Sequence, residues 1–309
     1  MKKIILLTDF SWNADHAMEY VLQWFNAKAF HGSKEFILLH VAPASPAVPT
    51  YPFLTSMVTS EDLILEETEQ LHAVTEHFRA KFPQHQFREI LAVGRLVEVV
   101  ANLVKQELPD LLVMGTKGYS GLTRMFMGSS AQELLSHIRC PMLVVPAGAA
   151  PVLPKKMVIG TDLQLSNQMA VLLPLRELVN AQDPELQVVR VVTHNTRITP
   201  EDDLTVRRLK TYLKSRRFHF TNVEHVSAED GLEDFIQSNG GDLIVLIGQE
   251  RGFLENLFHH SVTKEIIIHA SVPVMVLHSS EWEVSGERAV HDHAPNLATI
   301  QEDARSFIE

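Results

Sequence analysis

Short runs of consecutive apolar residues alternate along this chain with stretches in which apolar residues recur every three or four positions. In the first half the runs fall at 4–8, 36–41, 87–92, 110–114 and 142–145. They are short and mostly leucine or β-branched, which is how a strand covered on both faces reads. Between them, Ala17, Tyr20, Val21, Trp24 and Phe25 are spaced as one face of a helix, and so are Leu96, Val99, Val100, Leu103 and Val104. Strands alternating with helices predict right-handed crossovers and a parallel sheet.

The pattern then repeats. Lys3-Ile4-Ile5-Leu6-Leu7-Thr8-Asp9 returns as Lys156-Met157-Val158-Ile159-Gly160-Thr161-Asp162. Asp110-Leu111-Leu112-Val113-Met114-Gly115 returns as Asp242-Leu243-Ile244-Val245-Leu246-Ile247-Gly248. Cys140-Pro141-Met142-Leu143-Val144-Val145 returns as Val272-Pro273-Val274-Met275-Val276-Leu277. Three matched landmarks in one order indicate an internal duplication, with 146–155, rich in Ala, Pro and Gly, as the linker. The expected fold is α/β, as two tandem doubly wound domains, each with a five-stranded parallel sheet flanked by helices. The expected units are 1–146, 155–278 and a C-terminal tail, 279–309. In the second half, Thr199-Pro200-Glu201-Asp202 combines an N-cap, a proline at the first helical position and acidic residues in the first turn. It predicts a helix running to about Arg217.

The chemistry concentrates after the fourth strand. Met114-Gly115-Thr116-Lys117-Gly118 is followed by Gly128-Ser129-Ser130 and then the helical Ala131-Gln132-Glu133-Leu134-Leu135. Strand, glycine-punctuated loop and helix N-terminus in that order can present backbone N–H groups and a positive helix end to a phosphate. Gly115 and Gly118 suit positive φ or close backbone approach, and Ser129 and Ser130 suit a helix N-cap. Lys117 and Arg124 could neutralise phosphates. The spacing is neither a Walker loop nor the dinucleotide fingerprint. Ligands of open parallel sheets bind beyond the carboxyl ends of the strands. There Asp9 offers an acceptor for a ribose hydroxyl, an adenine amino group or a hydrated metal, Val41 an apolar wall for a base, and Gly94 a bare stretch of backbone. Asp9 also suits capping of the first helix together with Ser11.

Composition narrows the class. The formal net charge of −11 excludes an extended nucleic-acid surface. No apolar run approaches a membrane span, and the N-terminal run stops at Thr8-Asp9, too short for a signal peptide core. A cytoplasmic location is therefore expected. The single cysteine, Cys140, is expected to be a buried packing residue. Arg207-Arg208 and Arg216-Arg217 read as a solvated helix face. His259-His260 and His291-Asp292-His293 lack companions at ligand spacing, so no metal site is assigned.

Taken together, Thr8-Asp9-Phe10-Ser11, Leu39-His40-Val41, the strand and loop from Asp110 through Gly115, Gly118 and Gly128-Ser129, and the closing Cys140-Pro141-Met142-Leu143-Val144-Val145-Pro146 resemble the universal stress protein family. The resemblance covers nearly all of 1–146 and, more weakly, 155–278. It implies strand order 3-2-1-4-5, pairing of domains through their last strands, a role in stress survival, and ATP (or ADP or AMP) binding, with or without Mg²⁺. By that resemblance Asp9 and Val41 would contact the adenosine part, and Gly115, Gly118, Gly128, Ser129 and Ser130 would hold the phosphates.

The second half departs from the pattern. Gly248-Gln249-Glu250-Arg251-Gly252 loses the loop's glycine spacing, and His260-Ser261 stand where Gly128-Ser129 would be. This half reads as a degenerate partner in an intramolecular pseudo-dimer, leaving open a homodimer of whole chains. The segment from Ala42 to Met57 could cover the crevice or simply be a surface loop. The functional expectation is an ATP-binding stress protein, non-catalytic or a very slow ATPase. A nucleotide-free interaction module and an ATP-hydrolysing or nucleotidyl-transfer enzyme are the alternatives.

Overall fold

A computed structural model describes residues 1–27, 29–43, 60–116, 129–163, 169–194, 197, 199–248 and 272–278. The first half runs β1 (Lys3–Thr8), α1 (Trp12–Asn26), β2 (Glu35–Ala42), α2 (Ser60–Lys81), β3 (Gln86–Val93), α3 (Leu96–Glu107), β4 (Leu111–Gly115), α4 (Ser129–His137) and β5 (Met142–Val145). The second runs β6 (Lys156–Thr161), a 3₁₀ turn (Met169–Leu172) leading into α5 (Leu173–Gln182), β7 (Glu185–Val192), α6 (Pro200–Leu213), β8 (Phe218–Glu224), α7 (Ala228–Asn239), β9 (Leu243–Gly248) and β10 (Val274–His278).

All ten strands form one sheet in the order β3-β2-β1-β4-β5-β10-β9-β6-β7-β8. Each half keeps the order 3-2-1-4-5 with parallel neighbours, and the halves meet where β5 pairs antiparallel with β10, Val144 opposite Val274 and Met142 opposite Val276. The continuous apolar runs now have their reason. Alternate residues of β1, Ile4 with Leu6 and Ile5 with Leu7, enter two different cores on the two faces of the sheet. One core gathers residues of α1, α2, α5 and α6; the other gathers residues of α3, α4 and α7. Both cores run through the two halves without a break.

Further links cross between the halves. The Trp24 indole N–H donates to the Val152 carbonyl at 3.0 Å, and the Met1 amino group pairs with Glu177. Tyr20, buried in α1, has its hydroxyl pKa pushed up by burial, partly offset by Trp24, with the charge of Asp242 from the other half adding to the rise. Cys140 is fully buried as expected, and burial raises its thiol well above the ordinary range.

One predicted boundary is corrected. The helix opening at Thr199 ends at Leu213, short of Arg217. Lys214 turns into the left-handed conformation, its N–H donating to the Lys210 carbonyl, and Arg217 has already left for the sheet, its carbonyl accepting the Leu186 N–H. Sheet pairing overrides the helical propensity of 214–217. At the other end Thr199 is the N-cap as expected, and it forms a capping box with Asp202.

Candidate functional site at the carboxyl edge of the first half

β1 pairs with β2 on one side and β4 on the other, so the chain leaves the sheet in opposite directions around the end of β1. This is where a doubly wound sheet opens a crevice. Leaving β1, Phe10 takes a left-handed conformation, φ 61°, its N–H donating to Thr8 Oγ1 at 3.0 Å. The next N–H, of Ser11, donates to Asp9 Oδ1 at 3.1 Å, and Ser11 Oγ in turn accepts the Ala14 N–H to cap α1. Asp9 thus helps to shape the helix entry while its carboxylate stays exposed.

The partner strands bring the other expected residues to this edge. His40 lies in register with Thr8, so Val41, half-buried, stands beside Asp9. Met114 and Val41 both pack into the core lined by α3 and α4, which makes that face the one a ligand would meet. Gly94 follows β3 with φ +151°, a conformation L side chains rarely adopt, and its N–H donates to the Ala42 carbonyl at 3.0 Å. Asp9, Val41, Gly94, Met114 and Gly115 therefore share one edge. Ser129 and Ser130 open α4, and Ser130 is exposed. Lys117, Gly118, Arg124 and Gly128 lie outside the described residues, as do most of the segment from Ala42 to Met57, the second-half stretch from Gln249 to Ser261, both histidine pairs and the tail.

At Gly115 the structure shows a close backbone approach, made by α1. The glycine is not among the described residues with positive φ. A Cβ there would sit 2.8 Å from the backbone oxygen of Asn13, so its bare backbone lets the first turn of α1 close onto β4. That is a packing demand from the face opposite Met114.

Two contributors escaped the residue-by-residue reading. The His40 ring, buried, places Nδ1 2.9 Å from the Thr8 carbonyl, packs tilted against Phe10 at 4.2 Å between centroids, and turns Nε2 towards Glu67 of α2 at 3.7 Å. Asp15, on the first turns of α1, has its carboxyl raised by burial, with His77 opposing the rise and Asp9 adding to it. Only the fold brings these groups from β1, β2, α1 and α2 into one place.

The second half repeats the scaffold and changes the edge. Leu163 copies the left-handed turn of Phe10, φ 60°, its N–H donating to Thr161 Oγ1 at 3.1 Å. The strand registers set Ile247 opposite Thr161, the place Gly115 holds beside Thr8 when the β1–β4 register is continued. Among the described residues a 3₁₀ turn at Met169–Leu172 precedes the helix α5. At the position of His40 stands Arg190, whose Nη1 lies 2.8 Å from Asp202 of α6.

A family model described as "Universal stress protein family" matches residues 1–146 and 154–278. "Universal stress protein MJ0531" of Methanocaldococcus jannaschii is 30% identical over 145 residues, 47% of this chain and 81% of that protein. Among solved structures, a universal stress protein from Archaeoglobus fulgidus superposes with a TM-score of 0.63 at 17% identity, covering 89% of this chain and 96% of that one. A universal stress protein solved in complex with cAMP matches 47% of this chain and 96% of its own, at 20% identity and a TM-score of 0.33. Among the described residues no helix is long and apolar enough to cross a membrane, and no group of three or more His, Cys, Asp or Glu is placed to hold a metal ion.

Proposed function

Because this chain belongs to the universal stress protein family, we propose that its first half binds an adenine nucleotide, ATP with Mg²⁺ in the first instance, and that the bound state controls stress-response interactions. The observation that carries this reading is the convergence of Asp9, Val41, Gly94 and Met114 on one strand-end edge, directly before the Gly115–Ser130 loop. An exposed carboxylate suits the polar edge of adenosine, and Val41 and Met114 suit its apolar face. Gly94 leaves backbone bare beside them. In this reading Gly118, Gly128, Ser129 and Ser130 hold the phosphates at the start of α4, with Lys117 and Arg124 supplying positive charge. In this reading hydrolysis is slow or absent, since Asp9, the carboxylate at the end of β1, is engaged with the Ser11 N–H.

The second half serves as a structural partner without nucleotide. Ile247 stands in the place of Gly115, and Arg190 with Asp202 braces the edge. The test is calorimetric titration of ATP and Mg²⁺ into the intact chain and into Gly128→Asp. One nucleotide per chain, lost in the variant, is the expected result. Two per chain would overturn the assignment of the second half, and no binding would leave a nucleotide-free interaction module.

A further inference from the structure

His40 sits directly behind the proposed base wall, one residue before Val41 and in register with Thr8, one residue before Asp9. Its ring joins three elements. Nδ1 lies 2.9 Å from the Thr8 carbonyl, and a carbonyl can only accept, so Nδ1 carries a proton. The ring packs against Phe10, the left-handed residue that turns the chain from β1 into α1. Nε2 is buried without a hydrogen bond among the described residues and faces Glu67 Oε2 at 3.7 Å. With Nδ1 committed, Nε2 has two states. It presents a lone pair to a carboxylate, or it presents N–H⁺ to that carboxylate. The first leaves the gap open; the second closes it into an ion pair.

The other half of the chain shows the closed form built permanently. Arg190 occupies the same strand position, is equally buried, and pairs with Asp202 of the following helix at 2.8 Å. Its Nη2 also donates to the Arg197 carbonyl, which secures the connection between β7 and α6. A nitrogen base on the second strand facing a carboxylate on the second helix thus recurs in both halves. Arg190 carries a permanent charge; an imidazole in its place is a cation only when protonated.

We propose that His40 is the positioning residue of the nucleotide site and that its protonation tightens nucleotide binding, by closing Nε2 onto Glu67 and fixing the ends of β1 and β2, with Asp9 and Val41, against α2. The inference rests on the nucleotide reading above. The described groups facing the ring are the Thr8 carbonyl from β1, the Phe10 ring from the turn after it, Leu91 beside it on β3 and the Glu67 carboxylate from α2. Pre-ordering of this kind raises affinity by reducing what must be fixed on binding.

The experiment is titration of ATP and Mg²⁺ into the intact chain at pH 6 and pH 8, beside His40→Arg, His40→Gln and Glu67→Gln. The ionisation of ATP itself is common to all four proteins, so differences between their profiles report the clasp. Relative to His40→Arg, the natural chain is expected to lose about tenfold in affinity between pH 6 and pH 8, the size of a modest pre-organisation effect. Glu67→Gln and His40→Gln are expected to behave at pH 6 as the natural chain does at pH 8. Identical profiles for the natural chain and His40→Arg would overturn the proposal, as would full affinity at pH 6 in Glu67→Gln. Either result would leave nucleotide binding itself standing. No binding by the natural chain at either pH would instead remove the nucleotide reading, and this inference with it.

Discussion

Asp110 and Asp242 hold the same place in the two halves, each immediately before the strand that pairs with the first strand of its half. Asp110 Oδ2 accepts the N–H groups of Lys2 and Lys3; Asp242 Oδ2 accepts those of Lys155 and Lys156, at 2.8 and 3.0 Å. Each carboxylate fastens the start of a strand to its neighbour. Asp110 is buried and Asp242 is more exposed. Asp110→Ala is therefore expected to cost about 1–3 kcal/mol, from stranded N–H donors and a lost charge-assisted pair. Asp242→Ala should cost less, because water reaches its donors. Urea unfolding of the two variants checks the order; equal costs would contradict it.

The two small residues on the central strands should respond differently to a methyl group. In Gly115→Ala the added Cβ meets backbone, the Asn13 oxygen at 2.8 Å, and neither α1 nor β4 can move freely. In Gly160→Ala it meets Leu232 Cδ2 at 2.8 Å, the end of a side chain that can change rotamer. Overpacking against backbone is expected to destabilise by roughly 1–3 kcal/mol, and the Leu232 contact by less. Thermal unfolding of the pair would show it. A Gly115→Ala chain as stable as the natural one would refute the packing role of that glycine.

Arg190 and Asp202 form a nearly buried ion pair, and removing one partner leaves the other charge stranded. Arg190→Met is expected to lower stability by about 1–3 kcal/mol at neutral pH, because Asp202 is partly exposed and keeps the Thr199 N–H. Burial opposes ionisation of Asp202, but the Thr199 N–H and the Arg190 guanidinium outweigh it, so its carboxyl is held below the ordinary value of 3.8. A depressed folded value means that this contribution is complete above the unfolded value and disappears as pH falls through the folded one. In Asp202→Asn the acid limb of stability should be shallower below about pH 4. An unchanged acid limb would show that the pair does not act this way.

His278, at the end of β10 beside Gly248, has its imidazole pushed down to about 4 by burial, with Arg139 adding to the effect. The unfolded chain takes up this proton near 6.5 and the folded chain does not. Stability is therefore complete above about pH 6.5 and falls as pH drops towards 4. His278→Leu should remove part of that slope, read as a smaller change in urea midpoint between pH 7 and pH 4.5. A slope equal to that of the natural chain would exclude His278 as its source.

Much of this was legible before any coordinates. The apolar runs locate β1 to β5 to within a residue or two; β1, β4 and β5 are continuous because helices cover both faces, whereas β3, at the sheet edge, is partly exposed and carries Arg88 and Glu89. Repeated landmarks exposed the duplication, although the strand register shifts one of them, setting Ile247 rather than Gly248 in the place of Gly115. The end of α6 was misjudged because sheet pairing at Arg217 acts over a distance that local pattern does not register. Asp9, Val41, Gly94 and Met114 were named from position alone, and the sheet order brings them together. His40 was visible only as part of a motif. Its partners come from β1 and α2, so nothing local in the sequence marked it.

The sequence by itself determined the alternation of strands and helices, the repeat, and which residues stand at strand ends, because these follow from side-chain periodicity and from backbone demands along short stretches. The tertiary structure shows the pairing through the last strands, β5 and β10, that the family resemblance implied, and it alone decided that Gly115 yields its space to α1. It also decided that His40 and Arg190 stand at the same strand position, each facing a carboxylate of the following helix. Those are properties of groups distant in the chain, and their energies exist only once the fold has set their separations.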